Sequence, residues 1–136
     1  DAILCLATAG SFDHLEFRRN IVRSTIGNAI RVDRTDSNIH SAIVVASNRL
    51  EANSYGGLIA AAGLDGAEIR GNSGSSRRGS PLAFTDTRRT HISGNTMRSS
   101  AITGVAISGA CKGSRYDRTN IVSGKIVNTA TGMTVL

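Results

Sequence analysis

The chain has 136 residues, 40% of them hydrophobic, with one proline, no tryptophan and a formal net charge of +6. One domain with a sizeable interior fits that length, and the scarcity of aromatic residues disfavours a base-stacking nucleic-acid surface. No apolar run reaches the roughly eighteen residues that cross a membrane. We therefore expect no membrane span, no nucleic-acid partner, and an interior of small and β-branched side chains, which favours strands.

The positive charge comes from 14 arginines and 2 lysines, against 10 acidic residues. Such an excess predicts either attraction to a polyanion, such as an acidic polysaccharide, or simply a solvated arginine-rich surface. The two cysteines, Cys5 and Cys111, are predicted to be free, because the repeat described next separates them by several turns.

An internal repeat of apolar-x-apolar pairs runs through the chain, with a second pair 13, 13, 13, 13 and 12 residues after the first. The first pairs are Leu15/Phe17, Ile43/Val45, Ala67/Ile69, Thr90/Ile92 and Thr119/Ile121. The second pairs are Ile30/Val32, Leu58/Ala60, Leu82/Phe84, Val105/Ile107 and Met133/Val135, with Leu4/Leu6 as the second pair of a preceding turn. A third apolar position falls at Val22, Leu50 and Met97, interrupted by Gly74 and resumed at Ile126.

Three short inward-facing segments in each turn of 23 to 30 residues predict a solenoid of strands. Alternate residues of a strand point the same way, so each pair turns inward and the residue between them turns outward. Glycine, serine and asparagine interrupt every stretch before two helical turns form, which disfavours a helical solenoid. A β-sandwich is the remaining alternative, but its strands would not keep a constant offset. The prediction is an all-β parallel β-helix of about five turns with three short parallel sheets.

An asparagine recurs three residues after the first anchor in four cycles, at Asn20, Asn48, Asn72 and Asn95. We expect these residues to form tight corners, since asparagine tolerates left-handed backbone angles, and to stack as a hydrogen-bonded ladder. The alternative is a set of unconnected surface turns. In the last cycle Lys125 follows Ser123 and Gly124 where an asparagine is expected, so either that corner is tighter or one residue is missing.

The segment Ile92-Ser-Gly-Asn95-Thr-Met97, followed by Gly104-Val105-Ala-Ile107, resembles the repeat of right-handed parallel β-helix proteins of the pectin-lyase-like superfamily. That superfamily contains polysaccharide lyases, uronate epimerases, polygalacturonases and phage tailspikes. The resemblance implies a right-handed coil over residues 1–136 as a single segment. Because members usually have more turns and a capping helix, it also implies that this segment belongs to a longer chain or that other subunits cover its ends.

Outward positions beside the first pairs provide the candidate site. Stacking of successive turns places Glu68 beside His91 and Arg70 beside Ser93, about 5 Å apart. We interpret Glu68 and His91 as a catalytic acid/base pair, and the residues that would bind substrate are Arg70, Arg18, Ser93 and Arg31. The alternative is a salt-bridged solvent face. Asp33, Asp36 and Asp86 form a second loop candidate. Neither a metal nor a cofactor is expected.

The resemblance implies that the chain interacts with a polysaccharide and is secreted or displayed on a virion surface. An arginine-rich surface favours an acidic glycan. The chain could be a polysaccharide lyase, epimerase or glycosidase. It could instead be a trimeric tailspike or tail-fibre shaft that binds or depolymerises a receptor glycan, or a non-catalytic structural or adhesive rod.

Overall fold

The computed structural model describes residues 1–7, 12–24, 26–34, 41–53 and 55–136, and in these ranges the chain contains strands and no helix. In chain order the strands are β1 (Ile3–Ala7), β2 (Phe12–Arg18), β3 (Ile21–Ser24), β4 (Ile30–Arg34), β5 (Ser41–Ala46), β6 (Arg49–Ala52), β7 (Ile59–Ala62), β8 (Glu68–Arg70), β9 (Ser73–Ser76), β10 (Leu82–Thr85), β11 (His91–Ser93), β12 (Thr96–Ser99), β13 (Thr103–Ser108), β14 (Ala110–Tyr116), β15 (Ile121–Val122), β16 (Lys125–Asn128) and β17 (Thr131–Val135).

Every third strand enters the same sheet, so the chain coils through three sheets in turn. Sheet A has the order β1-β4-β7-β10-β13-β16, sheet B the order β17-β14-β11-β8-β5-β2, and sheet C the order β15-β12-β9-β6-β3. All strand pairs are parallel. The fold is therefore an all-β parallel solenoid of about five turns, which confirms the predicted architecture.

The interior consists of columns of apolar side chains stacked from turn to turn. In sheet B, Phe17 lies beside Val45, Val45 beside Ile69, and Ile69 beside Ile92. The last three are at most 1% exposed, and burying a side chain of this size contributes about 1.5–3 kcal/mol. The third apolar position also forms a column, which runs through Val22, Leu50, Gly74, Met97 and Val122.

In the last cycle, the predicted first pair, Thr119 and Ile121, is wrong. Ile92 pairs with Tyr116, whereas Ile121 pairs with Thr96 in sheet C and is 68% exposed. Strand β14 points Cys111, Ser114 and Tyr116 inward, and this mixed set carries no apolar pair that a sequence pattern could detect. Tyr116 is 3% exposed, and burial raises the pKa of its phenol to about 12.

The predicted second pair and third apolar position of the last cycle are displaced as well. Met133 and Val135 pair with Ser114 and Tyr116 in sheet B, so they do not form a second pair. Ile126 pairs with Val105 in sheet A, and the third apolar position of the last turn is Val122.

In two of the predicted second pairs, the residues that face inward are displaced by one position from those predicted. In β1, Ile3 and Cys5 lie beside Ile30 and Val32, while Leu4 and Leu6 face outward and are more than half exposed. Strand β1 is apolar at every position, so its alternation cannot be read from the sequence.

In β7 the inward residues are Ile59 and Ala61, not Leu58 and Ala60. The amides of Leu58 and Ile59 both donate to the carbonyl of Pro81, at 3.0 and 2.9 Å. This irregular backbone buries two consecutive side chains and moves the phase of the strand by one position.

The predicted asparagine ladder is present at the corner between sheets B and C. The Asn72 Oδ1 atom accepts hydrogen bonds from the backbone amide and the Nδ2 group of Asn48, at 3.0 and 2.9 Å. Asn72 in turn donates from its amide and Nδ2 to Asn95 Oδ1, and from Nδ2 to the carbonyl of Val45. Asn20 donates to Asn48 in the same way.

The ladder has a fifth rung, Asn120, which the sequence pattern missed. Asn120 Oδ1 accepts from the amide and Nδ2 of Asn95, at 3.1 and 2.8 Å. The sequence pattern places this corner near Lys125, but the sheet B strand of the last cycle lies earlier in the chain than predicted, at Ser114 and Tyr116. With Asn120 in place, the segment at Gly124 and Lys125 requires no missing asparagine.

At the four corners of Asn20, Asn48, Asn72 and Asn95, the left-handed residue is the one before the asparagine. Arg19, Ser47, Gly71 and Gly94 have φ values of 55°, 57°, 62° and 60°. The expectation that asparagine itself adopts the left-handed conformation is wrong. The asparagines are present because their amides bridge successive turns, and glycine is present at two corners because it adopts positive φ without steric cost.

Candidate functional site

The outer face of sheet B brings together most of the predicted site residues. Glu68 of β8 and His91 of β11 are register partners, and so are Arg70 and Ser93. Arg18 stands two turns from Arg70 in the same column, with Ala46 between them. Glu68, Arg70 and His91 are all exposed, whereas Val44 and Ala46 in the same columns are buried. The polar, solvent-exposed part of this face that holds the candidate pair therefore begins at β8.

Ion pairs run along the strands of this face, each joining residues two positions apart. Glu16 binds Arg18, Glu68 binds Arg70 at 3.0 Å, and Arg115 binds Asp117 at 2.9 Å. Alternate residues of a strand share a face, which brings each acid beside its arginine. Each of these arginines therefore has its charge compensated on its own strand.

Hydrogen bonds lower the pKa of two carboxyl groups on this face. A hydrogen bond from Arg18, with a second from His14, lowers the pKa of the Glu16 carboxyl, and Glu16 raises the pKa of Arg18. The backbone amide of Thr119 is the main group that lowers the pKa of Asp117. These carboxylates are ionised acceptors at neutral pH, and the exposure of the paired arginines keeps the energetic effect of each pair small.

His91 has a second acidic neighbour, Asp117, whose Oδ2 atom lies 4.0 Å from His91 Nε2. Arg115 and Asp117 were missed as members of this face because the last cycle was assigned to Thr119 and Ile121. Arg115 and Asp117 could have been detected from their spacing. They are an arginine and an acid two positions apart, as are Glu16/Arg18 and Glu68/Arg70.

Arg31 lies apart from the other predicted residues, on the outer face of sheet A. It pairs with Asp33, with Arg31 Nε and Asp33 Oδ2 2.6 Å apart, and the next three turns place only Ala60, Ala83 and Ala106 in its column.

The loop candidate built from acidic residues does not form a site in the described chain. Asp33 is paired with Arg31, and Asp36 lies outside the described residues. The Oδ1 atom of Asp86 accepts a hydrogen bond from the Ala110 amide at 2.8 Å, so this side chain supports a turn.

A groove on the outer face of sheet C was not anticipated from the sequence. It has a volume of about 490 Å³ and crosses β3, β6, β9 and β12. Its charged lining residues are Arg23, Arg49, Glu51 and Arg98, and the hydroxyl-bearing ones are Ser73, Ser75 and Thr96. The short side chains of β9 lie between the longer ones of β6 and β12, which gives the face its concavity.

The groove differs from the sheet B face in its charge balance. Arg23 pairs with Glu51 at 3.2 Å, whereas Arg49 and Arg98 have no carboxylate partner among the described residues. The sequence signal was the placement of arginines at outward positions of the third segment. It was overlooked because that segment was read only for its apolar residues.

Across the described ranges, no three histidine, cysteine, aspartate or glutamate side chains come together as metal ligands. No described helix could cross a bilayer. Cys5 and Cys111 are both free. No family model, no curated protein and no solved structure matches this chain.

Proposed function

We propose that this chain binds an acidic polysaccharide along the side of its solenoid, as part of a secreted or virion-surface protein. The observation that carries the proposal is a stack of parallel strands at regular spacing, in a chain whose formal net charge is +6. Parallel strands place equivalent outward side chains about 4.8 Å apart. An extended polymer with regularly spaced anionic groups can contact several turns in the same way.

Direct binding measurements test this proposal. We expect calorimetry to detect binding of the chain to a polyuronate or a sulfated glycan, and no binding to dextran, which is neutral. The affinity for the acidic glycan should fall by about tenfold or more between roughly 0.05 and 0.5 M salt, because screening weakens exposed ionic contacts. Equal binding to dextran, or an affinity independent of salt, would contradict the proposal.

The pectin-lyase-like resemblance supports three forms of this function. A tailspike or tail-fibre shaft would be a homotrimer in light scattering. An adhesive rod would bind glycan without turnover. An enzyme would release products from the polymer.

Acid–base catalysis on sheet B is the second candidate, and the observation that favours it is the register pairing of Glu68 with His91. In a lyase reaction, one of them would remove the proton next to the uronate carboxylate while the glycosidic C–O bond breaks and its oxygen takes up a proton. The product would carry a C=C bond that absorbs in the ultraviolet.

This candidate predicts that Glu68→Gln and His91→Asn each lower the rate of product formation at least about 100-fold, because loss of an acid or base typically costs 10²–10⁴-fold. Glycan affinity should stay within about twofold, since both replacements keep a polar side chain at these positions. Glu16→Gln is the matched control and should retain activity. Unchanged turnover in both variants, or no turnover in the unmodified chain, would exclude a catalytic role for this pair.

A further inference from the structure

We infer that the acidic glycan binds in the groove on sheet C, where Arg49 and Arg98 each hold an anionic group of the polymer. This inference rests on the proposed function and identifies the binding face. It assigns binding to residues outside the predicted sheet B site.

Charge balance separates this groove from the outer face of sheet B. Its lining contains three arginines and one glutamate, a surplus of two positive charges. Glu51 is held by Arg23, so the surplus resides on Arg49 and Arg98. On sheet B, by contrast, Arg18, Arg70 and Arg115 each have a carboxylate on their own strand. A glycan anion would have to displace those carboxylates, but it can pair directly with Arg49 and Arg98.

The positions of the two arginines define the length of ligand they can hold. Arg49 of β6 is the register partner of Ser73 on one side of β9. Arg98 of β12 is the register partner of Ser75 on the other side of β9. Two strand spacings of about 4.8 Å and an offset of two residues along the strand separate them by about 12 Å between Cα atoms. Their guanidinium groups form bidentate hydrogen bonds with carboxylate or sulfate oxygens.

The surface between the arginines suits a sugar. Ser73 and Ser75 of β9 and Thr96 of β12 are exposed and line the groove. Their hydroxyls can donate and accept hydrogen bonds, as sugar hydroxyls do. A nucleic acid would be held by aromatic stacking surfaces as well as charge, and no aromatic residue lines this groove.

Charge-removing variants test the assignment. The probes are a polyuronate, a sulfated glycan and duplex DNA, titrated at one fixed salt concentration by calorimetry. Arg49→Gln and Arg98→Gln should each raise the Kd for the acidic glycan by about tenfold or more, because each removes a charge-assisted hydrogen bond to an anionic group. The double variant should raise it by about a hundredfold. Ser75→Glu adds an anion between the arginines and should also weaken binding.

Arg88→Gln is the matched control, since it removes the same charge from an exposed position between sheets A and B. It should change the Kd by less than twofold, and urea unfolding should show that all the variants are folded. If Arg49→Gln and Arg98→Gln behave like Arg88→Gln, the groove assignment is overturned while glycan binding stands. If the unmodified chain binds no acidic glycan, the proposed function falls as well. Tighter binding of DNA than of glycan would overturn the choice of ligand.

Discussion

Asn72→Ala is expected to lower the free energy of unfolding by about 3 kcal/mol or more. Asn72 is 1% exposed, and its side chain bonds to Asn48, Asn95 and Val45. Alanine at this position removes the acceptor of the Asn48 backbone amide and Nδ2 group, and it removes the Nδ2 donor to the Val45 carbonyl, inside the solenoid. Each buried polar group that loses its partner costs about 1–3 kcal/mol. Urea unfolding monitored by circular dichroism measures the change.

The matched control for this variant is Asn53→Ala, at an exposed asparagine just after β6. This substitution should change the stability by less than about 0.5 kcal/mol, as is usual for surface positions. Similar costs at Asn72 and Asn53 would show that the ladder bonds contribute little to stability. A larger cost at Asn72 would explain why the same residue type recurs at five successive corners.

The repeat could be predicted from the sequence wherever inward positions are apolar and outward positions are not. Val45, Ile69 and Ile92 satisfy that condition and stack as expected. The prediction fails at β14, because the interior there accepts Ser114, whose hydroxyl donates to the Thr87 carbonyl at 2.7 Å. A satisfied polar residue can occupy a core position, but it has no signature in a hydrophobic pattern.

The candidate sites also differ in how much of each could be predicted from the sequence. The neighbours Glu68/His91 and Arg70/Ser93 followed from strand register alone, which the repeat fixes. Charge compensation followed only as the alternative of a salt-bridged solvent face, and the pair of Arg115 with Asp117 was not predicted because the register of the last cycle was wrong. The arginines of the sheet C groove have a sequence signal, but its concavity does not, since it depends on the relative lengths of side chains on four strands.

Gly74 is the position where the sequence pattern and the structure give opposite expectations. It occupies the inward column between Leu50 and Met97, so the repeat alone suggests that an apolar side chain would fill a gap and stabilise the coil. In the structure, a Cβ atom at Gly74 would lie 2.1 Å from the carbonyl oxygen of Leu50 and 3.1 Å from its Cβ. The first of these atoms belongs to the backbone, so no change of rotamer can relieve the contact.

We therefore expect Gly74→Ala to destabilise the chain by about 3 kcal/mol, at the upper end of the usual cost of overpacking, because strands β6 and β9 must separate. Ser73→Ala, which changes an outward residue of the same strand, is the control and should have little effect on the midpoint of urea unfolding. Stabilisation by Gly74→Ala would mean that the column has room for a methyl group. Destabilisation would show that close approach of two backbones, and not an absent hydrophobe, explains the glycine.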